Sequence, residues 1–334
     1  TGASYINTIA ISNSTENSSV RFSYTNSDIG STLPNSGLKR NNFNLRGFAK
    51  LSDKMSFDGK VTYFLQDAKN RPTQGTEGIG AYVYEMPRNI RLSDLRVYQD
   101  LASPIHNHPG ADEISPYDVI APKVGNPYWL MFQNINEDNR SRISGFAKLD
   151  YQFTDWLSAF VRVGTDAISH DTKNVIPQGY HFFRTGRINY NQRDLTETNY
   201  DFLVTFDKDL SEKFDLTASV GGNMRHSTAI SSGSSGEDFK IPGKYFLNNT
   251  DGDLITASQS DLIKKKVHSL YGQASLSYND MIYLDITGRN DWSSALAAEN
   301  RSYFYSSQSL SVLLHNVVDL GEKIDFLKVR GSTA

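Results

Sequence analysis

The sequence predicts an all-β protein, an antiparallel transmembrane β-barrel of which about twelve strands are present. Three observations carry this. Segments of strict apolar/polar alternation recur along the chain. Turns of a few residues alternate with much longer polar connections, as in a barrel with short periplasmic turns and long extracellular loops. The face opposite the apolar residues carries Arg46, Lys60, Arg142, Lys148, Arg162 and Asp285, as a wet lumen requires. A soluble β-sandwich or adhesin module is the alternative, because alternation alone does not say whether lipid or a second sheet covers the apolar face.

The elements follow in order. A faint hairpin joins Asn7–Ser12 to Val20–Ser27. Asn41–Leu51 pairs with Met55–Gln66 across Ser52-Asp53-Lys54, with Phe43, Leu45, Phe57, Val61 and Tyr63 on one face. Arg142–Phe153 pairs with Leu157–Thr165 across Thr154-Asp155-Trp156, where Trp156 is expected to anchor the interface. Thr198–Arg225 is the clearest hairpin. Tyr200, Phe202, Val204 and Phe206 share a face with Leu216, Ala218 and Val220, and the turn is placed at Lys208–Glu212. Leu270–Tyr278 pairs with Met281–Thr287 across Asn279-Asp280. A last faint pair joins Ser309–His315 to Asp325–Arg330. Most of these strands are expected near the ~9–11 residues that cross a bilayer.

The connections between hairpins are read as Asp28–Lys39, Asp67–Asn139, His170–Glu197, Ser227–Ile263 and Asn290–Ser302. The whole chain, 1–334, reads as part of one barrel domain, with 67–139 as a long extracellular insertion. Within it Pro87-Arg88 and Ser93-Asp94-Leu95 are expected to open short helical turns. Ser231–Gly236 reads as a mobile Ser/Gly stretch. Aromatic residues are expected at the membrane interface near strand ends, at Tyr151 with Phe153, Phe182 with Phe183, and Tyr303-Phe304-Tyr305.

Composition narrows the function. Hydrophobic residues are 38% and mean hydropathy is -0.48. No apolar run approaches the length of a transmembrane helix, but a barrel strand exposes only alternate residues to lipid. Net charge is -3 and the densest cationic run, Lys264-Lys265-Lys266, reads as a solvated strand end and not as a nucleic-acid patch. Cysteine is absent, which excludes thiolate chemistry. His106-Asn107-His108 lacks the further ligands of a metal site. Asp251-Gly252-Asp253 lacks the alternating acids and distal Glu of a calcium loop and reads as a turn. No nucleophile elbow, paired-acid or phosphate-cradling motif appears, so no catalytic residue, metal or cofactor is expected.

Binding asks for different chemistry. Sugars present flat apolar faces ringed by hydroxyls, which aromatic rings beside amide, carboxylate or guanidinium groups recognise. Two clusters have that composition. One is Asn126 with Tyr128 and Trp129, and the other is Arg289, Asn290, Asp291 and Trp292. They are the candidate ligand-binding residues, with a purely structural role as the rival explanation for each.

Several segments resemble one family in order along the chain. They are Met86–Ile90 with Asp94-Leu95, Asn126–Trp129, Asn136–Arg140, Leu149–Tyr151 and Thr154–Leu157. Gly288–Ser294 follows and is the most specific, then Asn300, Ser302–Tyr305 and Ser309–Ser311. Thr1-Gly2 and Leu327–Ser332 also fit. Together they resemble the SusC/RagA-like TonB-dependent outer-membrane transporters of Bacteroidetes. The resemblance implies a 22-stranded barrel around an N-terminal plug, import of oligosaccharides or of peptides, a SusD-like surface lipoprotein as lid, and energy from the TonB complex. It further implies that plug, TonB-contacting segment and C-terminal strands lie outside this chain.

Overall fold

The alternating segments assemble into one sheet. The computed structural model describes residues 2–73, 75, 78–86, 88, 90, 91, 93–96, 99, 100, 112, 113, 126–180, 183–316, 318 and 324–334. The strands are β1 (Ser4–Ser14), β2 (Ser18–Gly30), β3 (Gly37–Ser52), β4 (Met55–Lys69), β5 (Gln99–Asp100), β6 (Asp112–Glu113) and β7 (Ile135–Thr154). They continue with β8 (Leu157–Ile176), β9 (Arg187–Ser211), β10 (Phe214–Glu237), β11 (Thr256–Tyr278), β12 (Ile282–Ser293), β13 (Ser302–Leu313) and β14 (Lys328–Thr333). Two short helices, α1 (Ile79–Glu85) and α2 (Pro127–Phe132), lie between β4 and β7. Apart from the small β5–β6 ribbon, every strand joins a 12-stranded antiparallel sheet in chain order. No described helix is long and apolar enough to cross a membrane.

At one end five hairpins close through turns of two or three residues, while β13 and β14 are joined across 314–327, and the sequence pairs these strands correctly. Asn279 and Asp280 both have φ of 53°. Two successive positive φ values are what a tight hairpin turn of matching twist needs, and Asn and Asp tolerate them best. The β9–β10 turn is Glu212-Lys213, not Lys208–Glu212, because β9 stays paired through Ser211 with a register shift at Phe214. Trp156 sits in the β7–β8 turn, its ring 5.3 Å from Phe206 and 5.8 Å from the Lys208 ammonium.

The strands are longer than a bilayer requires, which corrects the expected lengths and most of the expected loops. β9 has 25 residues, β10 has 24 and β11 has 23. At ~3.3 Å per residue and a tilt near 40°, such a strand rises about 60 Å, over twice the ~25 Å apolar band. The connections shrink accordingly, to 31–36, 70–134, 177–186, 238–255 and 294–301. Ser231–Gly236 is strand, paired with Arg193 to Ile188 on one side and reaching β11 on the other. Lys264–Lys266 lies inside β11, well past its start. The helical turn at Ser93-Asp94-Leu95 appears as a 3₁₀ turn, Asp94–Arg96. The other helix precedes Pro87 and does not start from it, since α1 ends at Glu85. Pro87 itself, Phe182 and the His106-Asn107-His108 pair lie outside the described residues. Phe183 lies in the β8–β9 connection, not at a strand end.

The lower part of the sheet is inside-out. Val161, Val204 and Val220 are 57%, 41% and 57% exposed, while Ser219 and Ser269 on the opposite face are 4% and 6% exposed. The register makes this systematic: Val204 faces Ala159 and Val220 across its two ladders, and Thr205 faces Ser158 and Ser219. Small polar side chains crowd one face and apolar ones splay on the other. A water-soluble sheet would reverse that assignment, whereas a barrel wall in lipid requires it. Tyr24, Phe43 and Tyr63 stack across three strands on the apolar face, and the Tyr24 hydroxyl donates to Asn41 at 2.7 Å, where polar residues resume.

Buried apolar clusters occur only above this band among the described residues. Val175, Ile188 and Phe239 form one, against Ile135, Tyr190, Tyr245 and Leu247. Burial pushes the Tyr245 phenol pKa up. Gly186 (φ 85°) permits the turn beneath this cluster, since a Cβ there would strike the Phe239 ring. Tyr82 and Leu95 form the other cluster, with Met86, Ile90, Tyr128 and Leu130.

Candidate functional site

The polar face is a wall of ion pairs. Its cations are held by carboxylates, mostly on the neighbouring strand. Arg46 on β3 makes a two-pronged contact with Asp58 on β4, at 3.2 and 2.9 Å. Arg142 on β7 does the same with Asp166 on β8. Arg162 on β8 reaches Asp201 on β9 at 3.0 Å, and Asp201 also accepts from the Asn223 amide of β10 at 2.6 Å. Lys148 pairs with Asp150 and lies 4.5 Å over the Phe160 ring. At the top, Asp138 is held between Arg71 at 2.8 Å and His170 at 2.9 Å. The bidentate Arg–carboxylate geometry fixes orientation as well as charge. The wall therefore presents dense hydrogen-bonding groups with most charge neutralised locally.

The network with the best geometry for contacting a solute lies on β11, β12 and β13. Arg289 Nε donates to Asp291 at 2.8 Å, and its Nη2 donates to Ser269 at 2.9 Å. The guanidinium stands 5.6 Å from the Tyr271 ring centroid. The Tyr305 hydroxyl donates to the second Asp291 oxygen at 2.8 Å. All five residues occupy polar-face positions, because Arg289 is opposite Tyr271 and Tyr305, and Asp291 is opposite Ser269.

This geometry divides one predicted cluster. Gly288–Ser294 is strand through Ser293, so successive side chains point to opposite faces. Arg289 and Asp291 face the polar side. Asn290 and Trp292 face the apolar side, opposite Leu270 and His268. Asn290 there exchanges hydrogen bonds with the Ser302 hydroxyl at 2.9 and 3.3 Å. One solute cannot touch all four.

The other predicted cluster is brought together, but inward. Asn126 is fully buried and caps α2, accepting from the Tyr128 N–H at 2.9 Å. Its amide donates to the Leu95 carbonyl at 3.0 Å, tying α2 to the 3₁₀ turn. Trp129 is 1% exposed. Tyr128 packs on the Tyr82–Leu95 cluster and stacks on Phe132 at 6.3 Å. These three residues join α2 to the 3₁₀ turn and to Tyr82 of α1.

Sequence reasoning missed how that connection is fastened. The Tyr82 hydroxyl meets the Tyr180 hydroxyl at 3.0 Å, linking it to the β8–β9 connection. The Asn35 amide donates to the Met131 carbonyl at 3.0 Å, linking it to the β2–β3 turn. No pattern in the chain signals contacts between residues so far apart. The Asp251-Gly252-Asp253 turn is a short 3₁₀ turn in which Asp251 caps the Asp253 N–H at 3.2 Å. Among the described residues no group of three His, Cys, Asp or Glu could hold a metal.

Comparison with known proteins agrees with this architecture. No family model matches the chain. A TonB-dependent receptor of Formosa agariphila is 22% identical over 308 residues, which is 90% of this chain and 29% of the relative's length. The chain thus spans less than a third of that relative. The RagAB peptide importer in its closed-closed state superposes with a TM-score of 0.74 at 17% identity, over 98% of this chain and 36% of the importer chain. The ferric citrate transporter FecA gives 0.54 at 10% identity, over 99% of this chain and 41% of that one. At these identities the structures speak for the fold. Relative and superposed barrels converge, and the chain is similar to TonB-dependent outer-membrane receptors and transporters, with the fold of part of their barrel wall.

Proposed function

We propose that this wall lines the route of an active importer for oligosaccharides. The observation that carries the proposal is the polar face itself, where Arg46, Arg142, Arg162 and Lys148 are each paired with a carboxylate and the Arg289–Asp291–Tyr305 network adds tyrosine faces and fixed donors at the upper end. A neutral, hydroxyl-rich solute exchanges hydrogen bonds with such a wall without stripping water from an unpaired charge. The proposal includes a SusD-like surface lipoprotein above the long connections, with 70–134 on the extracellular side, and energy from a TonB complex acting through parts of the protein outside this chain. Peptide import is the second reading, favoured by the RagAB likeness. A strain lacking the full-length gene, compared with its parent for growth on purified oligosaccharides and on oligopeptides as sole carbon source, tests both. Loss of growth on glycans alone supports the first. Loss on peptides alone moves the assignment to the second, and no loss on either rejects both. In the complemented strain Asp291→Asn with Tyr305→Phe should slow glycan uptake several-fold, with unchanged heat-modifiable gel migration.

A further inference from the structure

The apolar face of β10, β11 and β12 changes character at one height. Below it Val220, Leu270 and Ile286 are exposed and apolar. Above it the positions on the same face are His226, Lys264, Lys266, His268 and Trp292. His226 is opposite Lys266, and His268 is opposite both Met224 and Trp292. The two imidazoles lie 6.0 Å apart, and Tyr200 extends the row 6.0 Å from His226.

A groove of about 480 Å³ opens here, lined by Lys266, His268, Trp292, Ser293, Ser294 and Arg301. Its origin is topological. β12 stops at Ser293 while β11 continues upward, so above Val267 β11 keeps only β10 as a partner. The chain then crosses over, the Ser294 N–H donating to the Lys266 carbonyl at 2.9 Å and the Lys266 N–H donating to the Ser294 hydroxyl at 2.8 Å. No described carboxylate lies within ion-pairing distance of Lys264, Lys266 or Arg301, whereas Arg46, Arg142, Arg162 and Arg289 on the polar face are all paired. At the matching height on β2 and β3 the cation is answered, with Lys39 3.7 Å from Asp28. The unanswered cations therefore sit on the lipid-facing side, at the apolar boundary, beside a tryptophan.

We propose that this groove binds the phosphorylated headgroup of a membrane lipid. Lipid phosphates occupy the height at which aromatic belts sit. Lys266 and Arg301 would meet the phosphate, the serine hydroxyls and imidazole N–H groups would donate to its remaining oxygens, and Trp292 would cover the adjoining apolar part. A free phosphate ion would use the cations but not the apolar strip below them.

The test uses the full-length protein in mild detergent, titrated with bisphosphorylated lipid A and with the same lipid dephosphorylated, bound lipid being counted by native mass spectrometry. Preference for the phosphorylated form by tenfold or more is expected. A Lys266→Gln/Arg301→Gln variant should lose most of that preference, at about fivefold per cation, while binding dephosphorylated lipid as before. Equal binding of the two lipids by the unaltered protein overturns the proposal, and that arm needs no variant to fold. A variant that keeps the preference also overturns it. Displacement of the lipid by millimolar inorganic phosphate would show a free-anion site instead and overturn the lipid assignment.

Discussion

The same strands run through two tiers that obey opposite rules. In the lower tier of β7 to β11 the apolar side chains are the exposed ones, as with Val161, Val204 and Val220. In the upper tier of β8 and β9 a cluster of apolar side chains is buried, Val175 and Ile188 against Phe239, although Ile230, Leu262 and Ile263 on β10 and β11 stay exposed. Backbone pairing is continuous across the change, since β9 is bonded to β8 and β10 from Arg187 nearly to its end. The ladder thus sets the strand, and the solvent around it decides which side chains may be exposed. Lipid favours the first arrangement and water the second.

Four substitutions would break or sharpen this contrast. The largest effect is expected from Phe239→Ala, which empties a ring from the upper cluster and should cost about 3–5 kcal/mol in local stability. Hydrogen exchange of 177–190 and 238–250 would read it, and the lower strands should stay protected. Protection unchanged in the upper tier would show that the cluster is not a core. Next, Val204→Arg places a charge in the apolar band and should cost about 2–4 kcal/mol. Thr196→Arg, on the same face of β9 but in the upper tier, should stay within about 0.5 kcal/mol. Urea unfolding of the full-length protein in lipid vesicles compares them, and equal costs would abolish the boundary between tiers. The smallest effect is expected from Tyr82→Phe. It removes the hydroxyl contact to Tyr180 and should cost about 1 kcal/mol, seen as faster exchange in α1 with no change in the global transition. A shift of the global transition would mean that the connection helps hold the sheet.

The tiers also explain what could be read beforehand. Lower-tier strands were legible because lipid on one side and water on the other write alternation into the side chains, as in Tyr200, Phe202, Val204 and Phe206 against Asp201, Leu203, Thr205 and Asp207. Upper-tier strands were illegible because water wets both faces, so Ser231 to Gly236 carries no period although it is fully laddered. The candidate site failed for a related reason. Gly288–Ser294 was recognisable as a motif, yet as strand it sends Arg289 and Asp291 one way and Asn290 and Trp292 the other. Asn126 and Trp129 were recognisable too, but their burial depends on Tyr82 and Leu95, and nothing local announces those contacts.

The chain-order pairing of the sheet bears on assembly. Each strand joins the one before it, so almost every closure brings together segments separated only by a turn or a modest connection. The entropy lost in such closures is small, and low contact order favours fast growth from hairpin to hairpin. The exception is β7 docking on β4 across 70–134, the one place where a long stretch must be gathered before the ladder can extend. Growth of the wall should pause there, with the two flanking sets of hairpins formed and that single seam still open.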